Sequence, residues 1–498
     1  MFRQLPRLAP RAGAARPTQL RSLAVTSHCL PQPVSFGARP RTFHTRSRLS
    51  VQATTPPSAE AATPTSSTST GSTSYTDGGP TLPGVSTDTK SRSVYITWAS
   101  GITSKFHTLW LRDHCRCPSC YHPTTKQRLL NTFEVNPESE PLHTESTTEG
   151  LLVHWPLLPS ERGEGVGEGE FHASVYPWRW LMRNSYAPVL SPAEETGKTL
   201  DKVLWGKGIG SSPPTVKYDD VMGSDEGVLR WLTKVAQYGF AFVSGVPPTP
   251  TDTEALVRRI AFIRETHYGG FWDFTSDLAH GDTAYTDLAL QAHTDTTYFT
   301  DPAGLQLFHL LSHTASKTAS SSATKGPSGG SSLLIDGFLA AAVLKDVHPS
   351  AYQTLSTVRI RTHSAGDPHT MIRPLLDSGY PILDHDPTTG ELTMVRYNND
   401  DRSVLRVSDD EVEPFYDALR KWHEILTNPE GEYWVQLKPG TAMIFDNHRV
   451  LHGRSAFVGN RRLCGAYVNH DDYRSRLSVL RAQEAEGRSE RGVWDDGL

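Results

Sequence analysis

The sequence predicts an α+β fold: a C-terminal double-stranded β-helix (jelly roll) with flanking helices, preceded by a small zinc-binding α/β N-terminal domain. Three observations predict it. From residue 305 onward, short apolar runs alternate with turn residues, the pattern of an all-β sandwich or barrel. His293-Thr-Asp295 sets an imidazole and a carboxylate two residues apart, on one face of an extended strand. Cys115-Arg-Cys-Pro-Ser-Cys120 crowds three thiols into six positions.

The chain has 498 residues, as a soft prior about three domains. A net charge of −5 with 9% aromatics gives no reason to expect a nucleic-acid partner. No apolar run approaches the roughly 18 residues of a membrane span. Three of the five cysteines lie together, which reads as a metal site in a reducing compartment rather than a disulfide framework.

Residues 1–50 are rich in Arg and Ser and contain no Asp, Glu or Lys; the first acidic residue is Glu60. That is the composition of a mitochondrial transit peptide, and a location in the mitochondrial matrix is expected. Residues 51–90 are largely Ser, Thr, Pro and Gly and are expected to be a disordered linker.

The N-terminal domain is placed at 91–183. It opens with the alternating run Ser91–Trp98 and leads into the thiolate hook. Structural zinc wants four N/S ligands. The fourth is expected from His172, with His122, His143 and His154 as rivals. Pro159–Glu170 reads as an inserted hairpin tip. A Pro-, Ser- and Gly-punctuated interdomain linker is expected at 184–222.

The second domain, 223–485, opens with a helical pattern at Glu226–Ala236 and a buried strand at Tyr238–Val246, stopped by Pro247-Pro248. A further helix is expected from Thr253 to Arg264. Strands are expected at Leu305–Leu311, Ser332–Ile335, Thr393–Asn398, Glu432–Leu437, Ala442–Phe445 and Leu463–Val468, with a low-complexity surface insertion at 314–331.

His293 and Asp295 are two-thirds of the facial triad that binds non-haem Fe(II) and leaves positions open for oxygen chemistry. A bare His-x-Asp is a weak signal among 21 histidines. His452, in Asp446-Asn-His-Arg-Val-Leu-His-Gly-Arg454, completes the set from a late strand. The open positions suit a bidentate 2-oxo acid and dioxygen. The distal carboxylate of such a co-substrate needs a cation, and Arg461 on the following strand supplies the preferred fork, while Arg462 points to the opposite face. Tyr268, Trp272 and Tyr285 stand where aromatic faces would wrap a quaternary ammonium group, each contact contributing ~0.5–2 kcal/mol. Asp282 is a nearby carboxylate for an α-ammonium.

Across about residues 95–485 the sequence resembles the γ-butyrobetaine/trimethyllysine dioxygenase family, which is TauD-like. The resemblance rests on Trp110-Leu-Arg-Asp-His-Cys115, Phe271-Trp-Asp-Phe-Thr-Ser276, Gly281-Asp-Thr-Ala-Tyr-Thr286, His293-Thr-Asp-Thr-Thr-Tyr-Phe299, Arg396-Tyr-Asn-Asn399, Asp446-Asn447 with Leu451-His-Gly-Arg454, and Arg462-Leu-Cys-Gly465. It implies Fe(II) on His293, Asp295 and His452, 2-oxoglutarate on Arg461, and zinc on Cys115, Cys117, Cys120 and His172. It also implies an aromatic cage of Tyr268, Trp272 and Tyr285 joined by Tyr467, with Asn398 at the polar end of the substrate and Asp282 facing its amino group. The implied reaction is hydroxylation of trimethyllysine at C3 with release of succinate and CO2, the first step of carnitine synthesis, with ascorbate as reductant and a homodimeric assembly. Asp282 favours trimethyllysine over γ-butyrobetaine, which has no α-amino group. The alternatives are γ-butyrobetaine hydroxylation at the same iron and a non-catalytic trimethylammonium-binding protein. A complete triad with Arg461 argues against the second.

Overall fold

A computed structural model describes residues 82–162, 169–190, 200–275, 287–314, 328–364 and 369–485. The expected transit peptide, most of the expected 51–90 linker and most of the 314–331 insertion lie outside the described residues.

Strands β1 (Gly84–Asp88), β2 (Ser93–Thr97) and β3 (Thr103–His107) form an antiparallel sheet that runs into α1 (Thr108–Asp113). β1 lies inside the stretch expected to be linker. Its composition is poor in apolar residues, but it pairs along its full length, Gly84 against Thr97 through Asp88 against Ser93, on a partner whose Val94 and Ile96 are fully buried. A supported edge strand needs little apolar content of its own, so composition conceals it. A second sheet joins β4 (His143–Ser146), β5 (Gly150–Pro156) and β6 (Phe171–Pro177), followed by α2 (Trp178–Arg183). Phe106, Leu111, Leu151, Val153, Trp155 and Tyr176 share one core with β2.

The next residues also correct the expected 184–222 linker. β7 (Thr215–Lys217) pairs in parallel with a later strand, and α3 (Tyr218–Gly223) packs before α4 (Asp225–Tyr238). Pro213-Pro214 punctuates the chain, but the three residues after it add an edge strand. Ser224 caps α4 by accepting from the Gly227 N–H, and Gly239, at φ +75°, ends it in the left-handed conformation. After β8 (Phe240–Ser244), α5 (Pro250–Arg258) stops six residues short of the expected Arg264, where β9 (Ile263–Arg264) begins. Then come β10 (Phe271–Thr275), β11 (Leu290–His293), β12 (Leu305–Thr314), β13 (Ser328–Gly329) and β14 (Ser332–Asp336). Helices α6 (Gly337–Val347) and α7 (Pro349–Thr357) precede β15 (Leu383–His385) and β16 (Leu392–Val395). Helix α8 (Asp409–Leu426) precedes β17 (Tyr433–Val435), β18 (Thr441–Asp446), β19 (Val450–Arg454), β20 (Phe457–Val458), β21 (Asn460–Val468) and α9 (His470–Ala485). The sequence pattern signalled none of α6 to α9. Pro414 sits inside α8 and masks it, although Ser408 and Glu411 form a capping box at its start.

Two sheets face each other in this mixed α/β region. The larger runs β10-β21-β12-β18-β8-β7 with β9 on β21; the smaller runs β11-β19-β14-β17. Between them lie Phe240, Phe242, Leu310, Leu334, Met443, Phe445 and Val450. Helices α4, α5 and α9 cover the outer face of the larger sheet, and α6 to α8 that of the smaller. β18 shows why the strands read as unbroken apolar runs. Ala442 and Ile444 join the helix layer while Met443 and Phe445 join the interior, so both faces are buried. No described helix is long and apolar enough to cross a membrane.

Candidate metal and substrate site

β11 and β19 are hydrogen-bonded neighbours, and their register sets His293 opposite His452. This brings residues 159 apart in sequence to a ring-centroid separation of 4.4 Å. His293 Nε2 lies 3.2 Å from Asp295 Oδ1, and His452 Nε2 lies 3.7 Å from the same oxygen. Three ligand atoms therefore converge within 4.8 Å of one another. The Nδ1 of His293 is committed to the Gln291 carbonyl at 2.7 Å, which leaves Nε2 to face the cluster.

Burial, then the charge of His293, pushes His452 down to about 3, so this imidazole is neutral, the form that ligates metal. Burial opposes charge on His293 too, but the hydrogen bond and charge of Asp295 prevail and raise it to about 9. Burial raises the Asp295 carboxyl, yet the charge of His452 and the bond and charge of His293 hold it below the ordinary carboxylate range.

The expectation that His293 and Asp295 share a strand face is corrected. β11 ends at His293, and Asp295 lies in the turn after it, followed by Thr296 at φ +55°. A β-branched residue in that region is strained by about 1–3 kcal/mol. Surrounding bonds hold the turn in place. Asn447, between β18 and β19, accepts from the Asp295 N–H at 2.7 Å and donates to the carbonyls of Asp295 at 3.0 Å and Ala303 at 2.9 Å. The Thr296 hydroxyl accepts from the Ala303 N–H at 2.8 Å. The outer carboxylate oxygen, Oδ2, accepts from Gln306 Nε2 at 2.6 Å and from the Tyr467 hydroxyl at 2.8 Å.

A cavity of about 270 Å³ opens on His293 and Asp295 and is lined by Tyr268, Trp272, Tyr298, Phe308, Asn398, Asp401 and Tyr467, among others. Trp272 and Tyr467 meet edge to face, centroids 5.3 Å apart at 72°. Gly465 makes this possible, because a Cβ there would stand 2.2 Å from the Trp272 ring. Tyr268 and Tyr298 touch through their hydroxyls at 3.2 Å. Asp282 and Tyr285 lie outside the described residues. Asn398 lines the cavity as expected; its amide donates to Asp401 at 3.0 Å and accepts from the Asp400 N–H at 3.0 Å. Asp401 also accepts from the Thr297 hydroxyl at 3.0 Å, and its charge raises His293.

Arg461 is on β21, six residues before Tyr467 and hence on the same face, but outside the cavity lining. It is 1% exposed, with its guanidinium 5.1 Å from the Phe457 ring. Its Nε and one terminal nitrogen have no hydrogen-bond partner among the described residues. Burial, then neighbouring Arg454, brings its pKa down to about 10. A buried cation beside another cation, with donors unspent, is built for an anion. Arg462 faces the other way and pairs with Asp273 at 2.8 Å.

Cys115, Cys117 and Cys120 place their sulfurs 3.3, 3.4 and 3.5 Å from His172 Nε2. The three rival histidines do not join them: His143 and His154 pair across β4 and β5, and His122 accepts from the Thr124 and Thr125 N–H groups. Glu161, from the stretch read as a hairpin tip, takes His172 Nδ1 at 2.7 Å and receives Arg112 through both oxygens at 3.0 Å. Arg112 in turn reaches Cys120 Sγ at 3.4 Å.

Sequence reasoning did not single out Asn447, Gln306, Tyr298, Asp401, Glu161 or Arg112. Asn447 lies inside the quoted stretch Asp446–Arg454 but carries no periodic signal that assigns it a role, and Gln306 reads as an ordinary residue of an apolar strand.

Residues 200–467 match the family "taurine catabolism dioxygenase TauD, TfdA", and residues 85–182 match "gamma-butyrobetaine hydroxylase-like, N-terminal". The trimethyllysine dioxygenase of Neurospora crassa is 45% identical over 74% of this chain and 79% of its own length. The human protein named mitochondrial trimethyllysine dioxygenase is 38% identical over 79% and 90%. The gamma-butyrobetaine dioxygenase of a Pseudomonas species is 31% identical over 80% and 96%.

Proposed function

The chain belongs to the taurine catabolism dioxygenase TauD, TfdA family, and on that premise we propose that it hydroxylates trimethyllysine in an Fe(II)- and 2-oxoglutarate-dependent reaction. The observation that carries this is the convergence of His293, Asp295 and His452, the first two of which line an aromatic cavity. The two facing sheets are then the double-stranded β-helix, in which β11, the turn after it and β19 would supply the metal ligands.

The donor set fits Fe(II). Two imidazole nitrogens and one carboxylate oxygen are the facial-triad ligands, and their separations of 3.2 and 3.7 Å suit neighbouring ligands of one ion. Iron with 2-oxoglutarate supplies oxidative decarboxylation to succinate and CO2 and the insertion of one oxygen atom of dioxygen into a C–H bond. The chain's share is placement. Arg461 takes the distal carboxylate of 2-oxoglutarate. Tyr268, Trp272 and Tyr467, with Tyr285, surround the trimethylammonium group. Asn398 and Asp282 hold the amino acid end, so the distance between anchors brings C3 to the reacting centre. Asp401 adds a carboxylate in the same cavity.

Four donors around one point fit structural zinc at Cys115, Cys117, Cys120 and His172, with Glu161 fixing the histidine tautomer. The reading extends to ascorbate as reductant, the first step of carnitine synthesis, a homodimer, and a location in the mitochondrial matrix, supported at the coarser level by the names of the vertebrate relatives.

The test is anaerobic loading with Fe(II), then oxygen and 2-oxoglutarate with trimethyllysine or γ-butyrobetaine offered separately, with mass spectrometry of the products. A singly oxygenated trimethyllysine hydroxylated at C3, with one succinate per product, is expected. Turnover of γ-butyrobetaine alone overturns the substrate assignment. Binding of either without turnover by iron-loaded protein supports a non-catalytic binder instead.

A further inference from the structure

We propose that Gln306 and Tyr467 are positioning residues that hold Asp295 as a one-oxygen metal ligand, and that the Tyr467 hydroxyl couples the aromatic cavity to the metal. The proposal rests on the iron-site reading above, and its test separates the two.

The two oxygens of Asp295 have different surroundings. Oδ1 faces His293 Nε2 and His452 Nε2 at 3.2 and 3.7 Å. Oδ2 accepts two hydrogen bonds, from Gln306 Nε2 at 2.6 Å and the Tyr467 hydroxyl at 2.8 Å. A carboxylate can bind a cation through one oxygen or both. Binding through both would use a coordination position that the co-substrate and dioxygen need. Two charge-assisted bonds on Oδ2 oppose that mode.

Gln306 shows what the arrangement is for. It is 2% exposed, and its Oε1 is buried without a hydrogen-bond partner among the described residues. An orphaned buried acceptor is destabilising, and a leucine at this position would not carry one. The amide keeps its NH₂ toward the carboxylate, since the opposite orientation would set oxygen against oxygen. Gln306 and Tyr467 are also cross-strand partners in the β12–β21 register, so two central strands fix both donors together.

Tyr467 has a second role because its ring lines the cavity and meets Trp272 edge to face. A quaternary ammonium against that ring draws electron density from it and strengthens its hydroxyl as a donor. Asp295 then gives up more charge to the hydrogen bond and less to the metal. Tyr467 and Asp295 would thereby relay to the metal site whether the cage is filled.

Tyr467→Phe keeps the ring and removes the hydroxyl; Gln306→Leu keeps the volume and removes the donor. With Co(II) as the probe, chelator competition should show metal affinity about 10–100-fold weaker in each variant, the usual effect of losing a group that orients a ligand. In wild type, trimethyllysine should perturb the visible spectrum of the Co(II)–2-oxoglutarate protein. In Tyr467→Phe that perturbation should vanish while trimethyllysine still binds within about threefold by calorimetry, and succinate should exceed hydroxylated product. Wild-type metal affinity in Tyr467→Phe, or an unchanged spectral response, overturns the proposal. If Gln306→Leu fails to fold, Tyr467→Phe decides alone. If wild type neither binds nor hydroxylates trimethyllysine but both variants lose Co(II) affinity, the clamp on Asp295 stands and the substrate reading falls.

Discussion

Two histidine-containing clusters of this chain solve opposite problems with similar parts. Around His172, three thiols from one short loop meet an imidazole delivered by β6, and four donors close on a point. Around His293, two imidazoles from paired strands meet one carboxylate from a strained turn, and three donors leave the cavity side open. The supports differ in the same sense. Glu161 and Arg112 tie the closed cluster to itself, whereas Gln306 and Tyr467 tie Asp295 to the cavity wall. A third group, Asp446, His448 and His470, brings its ligand atoms equally close, within 4.8 Å, but turns them to protein partners: His448 Nε2 lies 3.3 Å from the Pro302 carbonyl and His470 Nε2 3.5 Å from Asp446 Oδ2. Residue type alone does not make a site; the direction of the donors does.

The comparison breaks most visibly at Asp295. Asp295→Ala removes the donor that both histidines face, and turnover should fall at least ~10³-fold because the metal supplies the chemistry. Trimethyllysine binding to the metal-free protein should survive, since the aromatic rings of the cage remain although the Tyr467 hydroxyl loses its acceptor; loss of both would mean that the turn, not the ligand, had failed. Arg461→Ala is next. Truncating one partner of a desolvated charge pair costs about 2–5 kcal/mol, so the KM for 2-oxoglutarate should rise roughly 30-fold or more. An unchanged KM would remove Arg461 from the site.

The closed cluster should respond as structure. Cys120→Ser should leave the protein short of zinc by elemental analysis and lower its Tm. Glu161→Gln keeps all four ligands and should weaken zinc binding by ~10–100-fold. In both, kcat of the folded, iron-loaded protein should stay near wild type. A fall in kcat matching the loss of zinc would show that the N-terminal cluster serves the reaction itself.

The donors of both clusters were legible in sequence because metal chemistry restricts residue types and spacing: His293, Asp295, His452 and Cys115-x-Cys-x-x-Cys120 carry that signal. Several strands of the sheets around the iron ligands could also be traced, since β12, β14, β18 and β21 are apolar on both faces or nearly so. What sequence did not disclose is whatever depends on a partner distant in the chain. β1 exists because β2 accepts it, and Asn447 matters because the fold returns it to Asp295 from 152 residues away. Likewise Gln306 is an unremarkable polar residue until Tyr467 stands beside it. Helices α6 to α8 went unread because their apolar positions answer to the smaller sheet and to each other, and Pro414 interrupts the longest of them.

The finest test of directional donors lies within one strand. Arg461 and Arg462 are adjacent on β21, so their side chains leave by opposite faces. The first is fully enclosed with donors unspent, while the second is 47% exposed and pairs with Asp273 across β10 and β21. An exposed ion pair is screened by water and salt and contributes little. Arg462→Ala should therefore leave the KM for 2-oxoglutarate within about twofold of wild type and move Tm by no more than about 2 °C, the scale of a weak surface interaction. A 2-oxoglutarate titration of both alanine variants in parallel checks this. If Arg462→Ala raised KM as much as Arg461→Ala, the effect would belong to the strand as a whole, and the face each guanidinium occupies would not be what selects the anion.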